Sequence, residues 1–195
     1  MTGGRTKTEV PSSVARRRAD HEDEEDSWLP RVLVLCTGNA ARSVMAGVLL
    51  DAKGVRARVT TAGTHVVEHQ PMSRRTRDAL VSIGLDVPVH HSRQVAESDV
   101  EESDLVIAMA AEHVRYMRRR HPSAADRTAT LCWLADNLPR GGEPLSLRVG
   151  RLDLGELDPD AQGDVKDPAG GDDRDYRECA REVQRLVDDL VDRLG

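Results

Sequence analysis

The stretch Arg31-Val-Leu-Val-Leu-Cys36-Thr-Gly-Asn-Ala-Ala-Arg42-Ser43 decides how this chain is read. Val32 to Leu35 form a short unbroken apolar run, the pattern of a buried strand, and the run delivers Cys36 to the strand's end. From Arg42 onward Val44, Met45, Val48, Leu49 and Ala52 share one helical stripe, which Gly54 stops. Thr37, Gly38, Asn39, Ala40 and Ala41 lie between, enough for one tight loop with its N–H groups turned inward. Such a concavity at a helix N-terminus attracts an anion, because unpaired N–H groups and the helix dipole both favour negative charge. Arg42 adds a planar fork of donors that matches two oxygens of a phosphoryl group. The same field favours a thiolate, so a nucleophile is set where a phosphorus atom would be held. Gly38 allows close backbone approach, and Asn39 tolerates a left-handed conformation and can tie the loop through its amide. A buried core thiol is the competing reading of Cys36, and the strand-loop-helix context with Ser43 directly after the arginine argues against it.

Working outward, strand and helix patterns alternate from Arg31, which implies a parallel sheet covered on both faces. Strands are expected at Ala57 to Thr61, Asp104 to Met109 and Arg127 to Leu134, the last carrying Cys132 as a core thiol. A helix from about Ser73 turns Ala79, Leu80 and Ile83 inward and stops at Gly84. The helix after the third strand carries Arg115, Arg118 and Arg119 on one face, expected to be solvated. A closing helix over Asp173 to Leu194 shows a continuous stripe of Tyr176, Cys179, Val183, Leu186, Leu190 and Leu194. Residues 136–166, rich in Gly, Pro and Asp, read as a long loop insertion; the alternation of Leu145, Leu147 and Val149 suggests a small hairpin inside it. Residues 1–29 read as a charged, disordered extension, since Arg16 to Arg18 and Glu22 to Asp26 come with almost nothing apolar.

A chain of 195 residues fits one domain, here 30–195, plus that extension. The net charge of −6 argues against a nucleic-acid or membrane-surface partner, and no apolar run is long enough to span a membrane. Cys36, Cys132 and Cys179 form neither a metal spacing nor a disulfide framework. A reactive thiol requires a reducing compartment, so the cytoplasm is expected.

Cys36-Thr37-Gly38-Asn39-x-x-Arg42-Ser43 resembles the signature of the low-molecular-weight protein tyrosine phosphatases, bacterial type. Thr61 to Thr64 is similar to the family's Ser-Ala-Gly-Thr segment, His90 to Gln94 to its His-x-Ala-Arg stretch, and Asp104 to Met109 to its third strand. Asp167-Pro168 resembles the loop that carries the family's general acid. The resemblance implies a flavodoxin-like, three-layer α/β sandwich with a four-stranded parallel sheet and helices on both faces. It implies a cysteine-dependent phosphomonoesterase with Cys36, Arg42 and Asp167 as catalytic residues, needing neither metal nor cofactor. Thr37, Gly38, Asn39, Ala40, Ala41 and Ser43 would bind the substrate's phosphoryl group, and His90 and His91 would be structural. The chain departs from the family where Ala40 replaces Ile or Thr, Ala41 a second Cys, Val44 a Pro and Gly47 a Glu. Ala169-Gly170-Gly171 also follows the Asp-Pro pair, where many members carry an aromatic.

The expected substrate is a phosphorylated protein or a small phosphomonoester, with phosphotyrosine first and phosphoarginine as the rival; the oligomeric state stays open. No Phe is present, and none of Trp28, Trp133, Tyr116 and Tyr176 lies in the expected wall loops, 65–70 and 169–171. A phospho-binding module without turnover is a further alternative. Thiol-dependent arsenate reduction is disfavoured, because Cys132 and Cys179 do not look like a resolving pair.

Overall fold

The computed structural model describes residues 28–194, so the expected N-terminal extension lies almost wholly outside the described residues. The first strand, β1, is Arg31–Cys36, and the helix that follows, α1, is Arg42–Ala52. Then come β2 (Arg58–Gly63), α2 (Arg74–Ser82), α3 (Glu97–Glu101), β3 (Leu105–Ala108) and α4 (Ala111–Arg120). A 3-10 turn at Pro122–Arg127 leads into β4 (Thr128–Thr130), α5 (Leu131–Asn137), α6 (Leu145–Val149), a second 3-10 turn at Pro159–Ala161, and α7 (Asp173–Leu194).

All strand pairs are parallel and the sheet order is β2-β1-β3-β4. Side chains of β1 alternate between the two faces. Val32, Val34 and Cys36 join the larger core, which holds Met45, Leu49 and Leu50 of α1, Leu80 of α2, Leu134 of α5, and Val183, Val187 and Leu190 of α7. Leu33 and Leu35 turn the other way and meet Val100 of α3, Val106 of β3 and Met117 of α4. The result is the expected three-layer, flavodoxin-like sandwich. In such a sheet, ligands bind outside the carboxyl ends of the strands where the winding direction reverses. Here that point is the end of β1, between β2 and β3, and Cys36 occupies it.

Several expected elements shift. β2 runs to Gly63 because it stays in register with β1 to the end, Cys36 against Gly63. The fourth strand is only three residues long. The Thr130 hydroxyl then accepts from the Trp133 N–H at 3.2 Å and caps a helix whose Leu131, Leu134 and Ala135 are buried. Cys132 therefore stands on a helix rather than a strand. The hairpin expected around Leu145 is instead the short helix α6, with Leu145 and Val149 buried one turn apart and Leu147 exposed.

The stretch between α5 and the Asp-Pro pair is packed into the domain rather than left as a long loop. Leu154, Gln162 and Val165 are buried, and Gln162 both accepts from the Thr130 N–H at 3.0 Å and receives the Thr130 hydroxyl at 2.7 Å. Two of the three arginines expected to be solvated on α4 hold this stretch. Arg118 donates to the carbonyls of Leu154 and Leu157, at 2.9 and 2.5 Å, and Arg115 pairs with Asp160. Gly47, a helix-interior glycine that costs about 1 kcal/mol against Ala, has a packing reason. A Cβ there would lie 2.6 Å from Cγ2 of Thr61 on β2.

Candidate active site

The loop between β1 and α1 is held by one asparagine. Asn39 is fully buried and adopts φ 49°, the left-handed conformation its type tolerates. Its amide nitrogen donates to Ser43 Oγ at 3.1 Å and to Thr61 Oγ1 at 3.0 Å, while its amide oxygen accepts from the Arg93 N–H at 3.1 Å. The Asn39 carbonyl meets His90 Nε2 at 2.8 Å, so His90 supports the loop from behind. Gly63 sits beneath it, and a Cβ there would come within 2.6 Å of the Thr37 carbonyl. Gly38 has open space on that side, so no protein neighbour demands glycine.

The nucleophile candidate has a hydroxyl beside it. Ser43 Oγ receives the Asn39 amide and lies 3.0 Å from Cys36 Sγ, so its own proton is available to a thiolate there. Cys36 is buried, and α1 begins immediately beyond with Ala41 at its N-cap, which offers no side-chain cap. The first-turn N–H groups of α1 are thus left for an anion. The other two thiols are different in kind. Burial pushes Cys132 up to about 11 and Cys179 up to about 12, so both stay protonated.

Arg42 is buried, yet held loosely on two sides: Nη1 donates to the Val165 carbonyl at 3.4 Å and Nη2 to Thr37 Oγ1 at 3.3 Å. Its short contact is Nη2 to Asp167 Oδ2 at 2.5 Å. Asp167 keeps nearly half its side chain exposed, and its second oxygen accepts from the Ala169 N–H at 3.0 Å. The acid-bearing loop is tied at both ends. On one side the Val165 N–H donates to the Met109 carbonyl at 2.9 Å, and Asp164 caps α4 by accepting from the Ala111 N–H at 2.7 Å. On the other, Arg75 reaches the Gly171 carbonyl at 2.8 Å and Asp173 at 3.2 Å.

Side-chain contacts thus join Cys36, Ser43 and Asn39 in one set and Thr37, Arg42 and Asp167 in another, both at the loop between β1 and α1, while Ala40 is exposed and Ala41 half-buried. Sequence reading missed three residues, all from α4. Tyr116 sets its ring edge-on to exposed His65, centroids 5.7 Å apart at 71°, and so backs the wall loop that had no aromatic of its own. Glu112 and His113 reach Thr37, at 3.1 and 3.0 Å. A histidine beside Val114 and Met117 on a buried helix face was the available signal.

A buried thiol at the start of a loop that ends on an uncapped helix N-terminus, with an arginine there paired to a carboxylate, is the arrangement of a cysteine-based phosphatase. The family model for "Low molecular weight phosphotyrosine protein phosphatase" matches residues 31–140, and the chain belongs to that family. It is 29% identical over 167 residues to the protein-arginine-phosphatase of Geobacillus stearothermophilus, covering 84% of this chain and 95% of that one. It is 31% identical to the low molecular weight protein-tyrosine-phosphatase of Streptomyces coelicolor, covering 83% and 91%. The solved YwlE arginine phosphatase from Geobacillus stearothermophilus superposes with a TM-score of 0.69 at 29% identity, over 85% of this chain and 92% of that one. No described helix is long and apolar enough to cross a membrane.

Proposed function

We propose that the chain dephosphorylates phosphoproteins, phosphotyrosine above all, through a phosphocysteine on Cys36. The supporting observation is a pair of contacts at the two ends of one loop, Cys36 Sγ to Ser43 Oγ at 3.0 Å and Arg42 to Asp167 at 2.5 Å, around a helix end without a side-chain cap.

Phosphoryl transfer leaves the protein mainly positioning and charge neutralisation to supply. Cys36 Sγ attacks phosphorus; the S–P bond forms as the ester P–O bond breaks, and the departing oxygen takes the proton of Asp167. Arg42 and the N–H groups from Thr37 to Arg42 carry the charge of the three equatorial oxygens. Water then attacks phosphorus and gives its proton to Asp167, the S–P bond breaks, and the sulfur returns to the Ser43 hydrogen bond. Arg42 and Asp167 are paired. An entering phosphoryl group takes over the guanidinium fork and releases the carboxyl to face the leaving oxygen.

The edge-on pair of His65 and Tyr116 favours a ring-bearing substrate, since it sets a flat wall beside the loop that Thr37 anchors through the His65 N–H, at 2.9 Å. Phosphoarginine is the second reading, favoured by the similarity to the Geobacillus protein-arginine-phosphatase over 84% of the chain. Ala40, exposed at the rim, offers no side-chain group to discriminate the two. The free state of all three cysteines supports a reducing, cytoplasmic setting, and the net charge of −6 supports protein rather than nucleic-acid or membrane partners. The test is kcat/KM on matched phosphotyrosine and phosphoarginine peptides. Phosphotyrosine is expected to be hydrolysed at least as well; a phosphoarginine preference of about tenfold or more reverses the assignment.

A further inference from the structure

His113 is about 1% exposed, on the first turn of α4, and no step above uses it. Its Nε2 lies 3.0 Å from Thr37 Oγ1 and 3.3 Å from Glu112 Oε1, and its Nδ1 has no hydrogen-bond partner among the described residues. Thr37 Oγ1 is the shared atom: it donates to Glu112 Oε1 at 3.1 Å and accepts from Arg42 Nη2 at 3.3 Å. A hydroxyl has one proton and two lone pairs. With the proton on Glu112 and one lone pair facing Arg42, the remaining lone pair can only receive an N–H from His113.

We propose that His113 is a positioning residue for the cradle: a neutral imidazole whose Nε2–H, together with Glu112, fixes the Thr37 hydroxyl so that its oxygen faces Arg42. This inference rests on the phosphatase reading of the site. The opposite tautomer would demand two protons of one hydroxyl and would bury an unpaired Nδ1–H, whereas the assigned one buries only an unpaired lone pair. Protonation is opposed as well. The groups that face His113 are Arg42 on α1, His65 on the wall loop, Glu112 on α4, and Asp164 and Asp167 on the acid-bearing segment. Burial first, and Arg42 second, lower it to about 4 against the pull of the two aspartates. The ring is therefore neutral at working pH and cannot repel Arg42 or the phosphoryl group. Arg42 is otherwise held by a 3.4 Å bond and by a carboxylate that substrate displaces, so Thr37 is the partner that stays when the site fills.

The experiment compares Thr37→Val, His113→Ala, His113→Gln and the Thr37→Val/His113→Ala double variant. The readouts are kcat/KM on an aryl phosphate, Kd for inorganic phosphate by calorimetry, and Tm. Thr37→Val and His113→Ala are each expected to weaken phosphate binding about tenfold, and the double variant no more than either single one, because both break one link. His113→Gln, whose amide can place an N–H near the Nε2 position, is expected to restore phosphate affinity. A double variant weakened about a hundredfold, or a His113→Gln no better than His113→Ala, overturns the proposal. So does a His113→Ala that lowers Tm but leaves phosphate affinity intact. If His113→Ala does not fold, weakened binding in Thr37→Val beside near-normal His113→Gln supports it, and unweakened Thr37→Val overturns it. A wild-type chain that binds phosphate but turns over no phosphomonoester refutes the phosphatase reading alone, and the phosphate series still decides the role of His113.

Discussion

Two buried arginines hold opposite ends of this molecule. Arg42, beside the carboxyl ends of the strands, is about 4% exposed, and Arg148, on α6, about 3%. By burial and charge they are equivalent, but their partners differ. Arg148 donates to the carbonyls of Glu143 at 3.1 Å, Pro139 at 2.8 Å and Leu194 at 3.1 Å, and also to that of Arg193. Every acceptor is a neutral main-chain oxygen, and two belong to the last turn of α7, where unpaired carbonyls and the helix dipole favour a cation. Arg148 is thus a helix cap that also fastens the segment after α5, and no ligand could replace its partners without undoing that end of α7. Arg42 has two long bonds and one exchangeable carboxylate. A buried charge alone therefore does not mark a site; a buried charge whose strongest partner can leave does.

Substituting both arginines alike separates the two cases. Arg42→Lys is expected to lower kcat by about 10²–10³, because the planar fork is lost, with little change in Tm. Arg148→Lys is expected to do the reverse. It leaves buried carbonyls without partners and costs roughly 2–4 kcal/mol of stability in a urea titration, while kcat per folded molecule is unchanged. A folded Arg148→Lys without turnover would end the distinction.

The carboxylate opposite Arg42 sharpens the same point. Asp167→Asn should slow aryl phosphates with poor leaving groups by about 10²-fold, and those with good leaving groups much less, since only the former need a proton in the transition state. An equal loss across the series would remove Asp167 from the acid role. A smaller effect is expected in the pH dependence of stability. His113 is lowered to about 4 from an ordinary 6.5, so between these values the unfolded chain binds a proton that the folded chain refuses. Stability should fall as pH drops through that window, by at most roughly 3 kcal/mol from this group, and level off below it. His113→Gln lacks the titration, so its stability relative to wild type should rise from pH 7 to pH 4.5; a constant difference would show that the ring is not held neutral.

The same contrast explains what could be read from the sequence. The site end was legible because its chemistry is local. Cys36, Asn39, Arg42 and Ser43 fall within eight residues, and their placement follows from a strand that ends and a helix that begins. The stripe of α7 was equally plain, since Cys179, Val183, Leu186, Leu190 and Leu194 keep helical spacing and all are buried. The other end was not legible. The stretch after α5 coheres through side chains that reach main-chain carbonyls: Arg118 to Leu154 and Leu157, Arg148 to Arg193 and Leu194, Thr130 to Gln162. Such bonds leave no periodicity, and their arginines look like ordinary surface charge. For the same reason the wall and second layer of the site were missed, because Tyr116 and His113 reach it only through the β3–α4 crossover.

Everything proposed for the site depends on Cys36 carrying the phosphoryl group between two steps. The direct measurement is mass spectrometry of the enzyme acid-quenched during turnover of an aryl phosphate, with Asp167→Asn used to slow the second step. The expected result is phosphate on the peptide containing Cys36, chased away when turnover completes and missing in Cys36→Ser, which should still bind inorganic phosphate. Steady hydrolysis by Cys36→Ser, or turnover with phosphate never found on that peptide, would contradict the account.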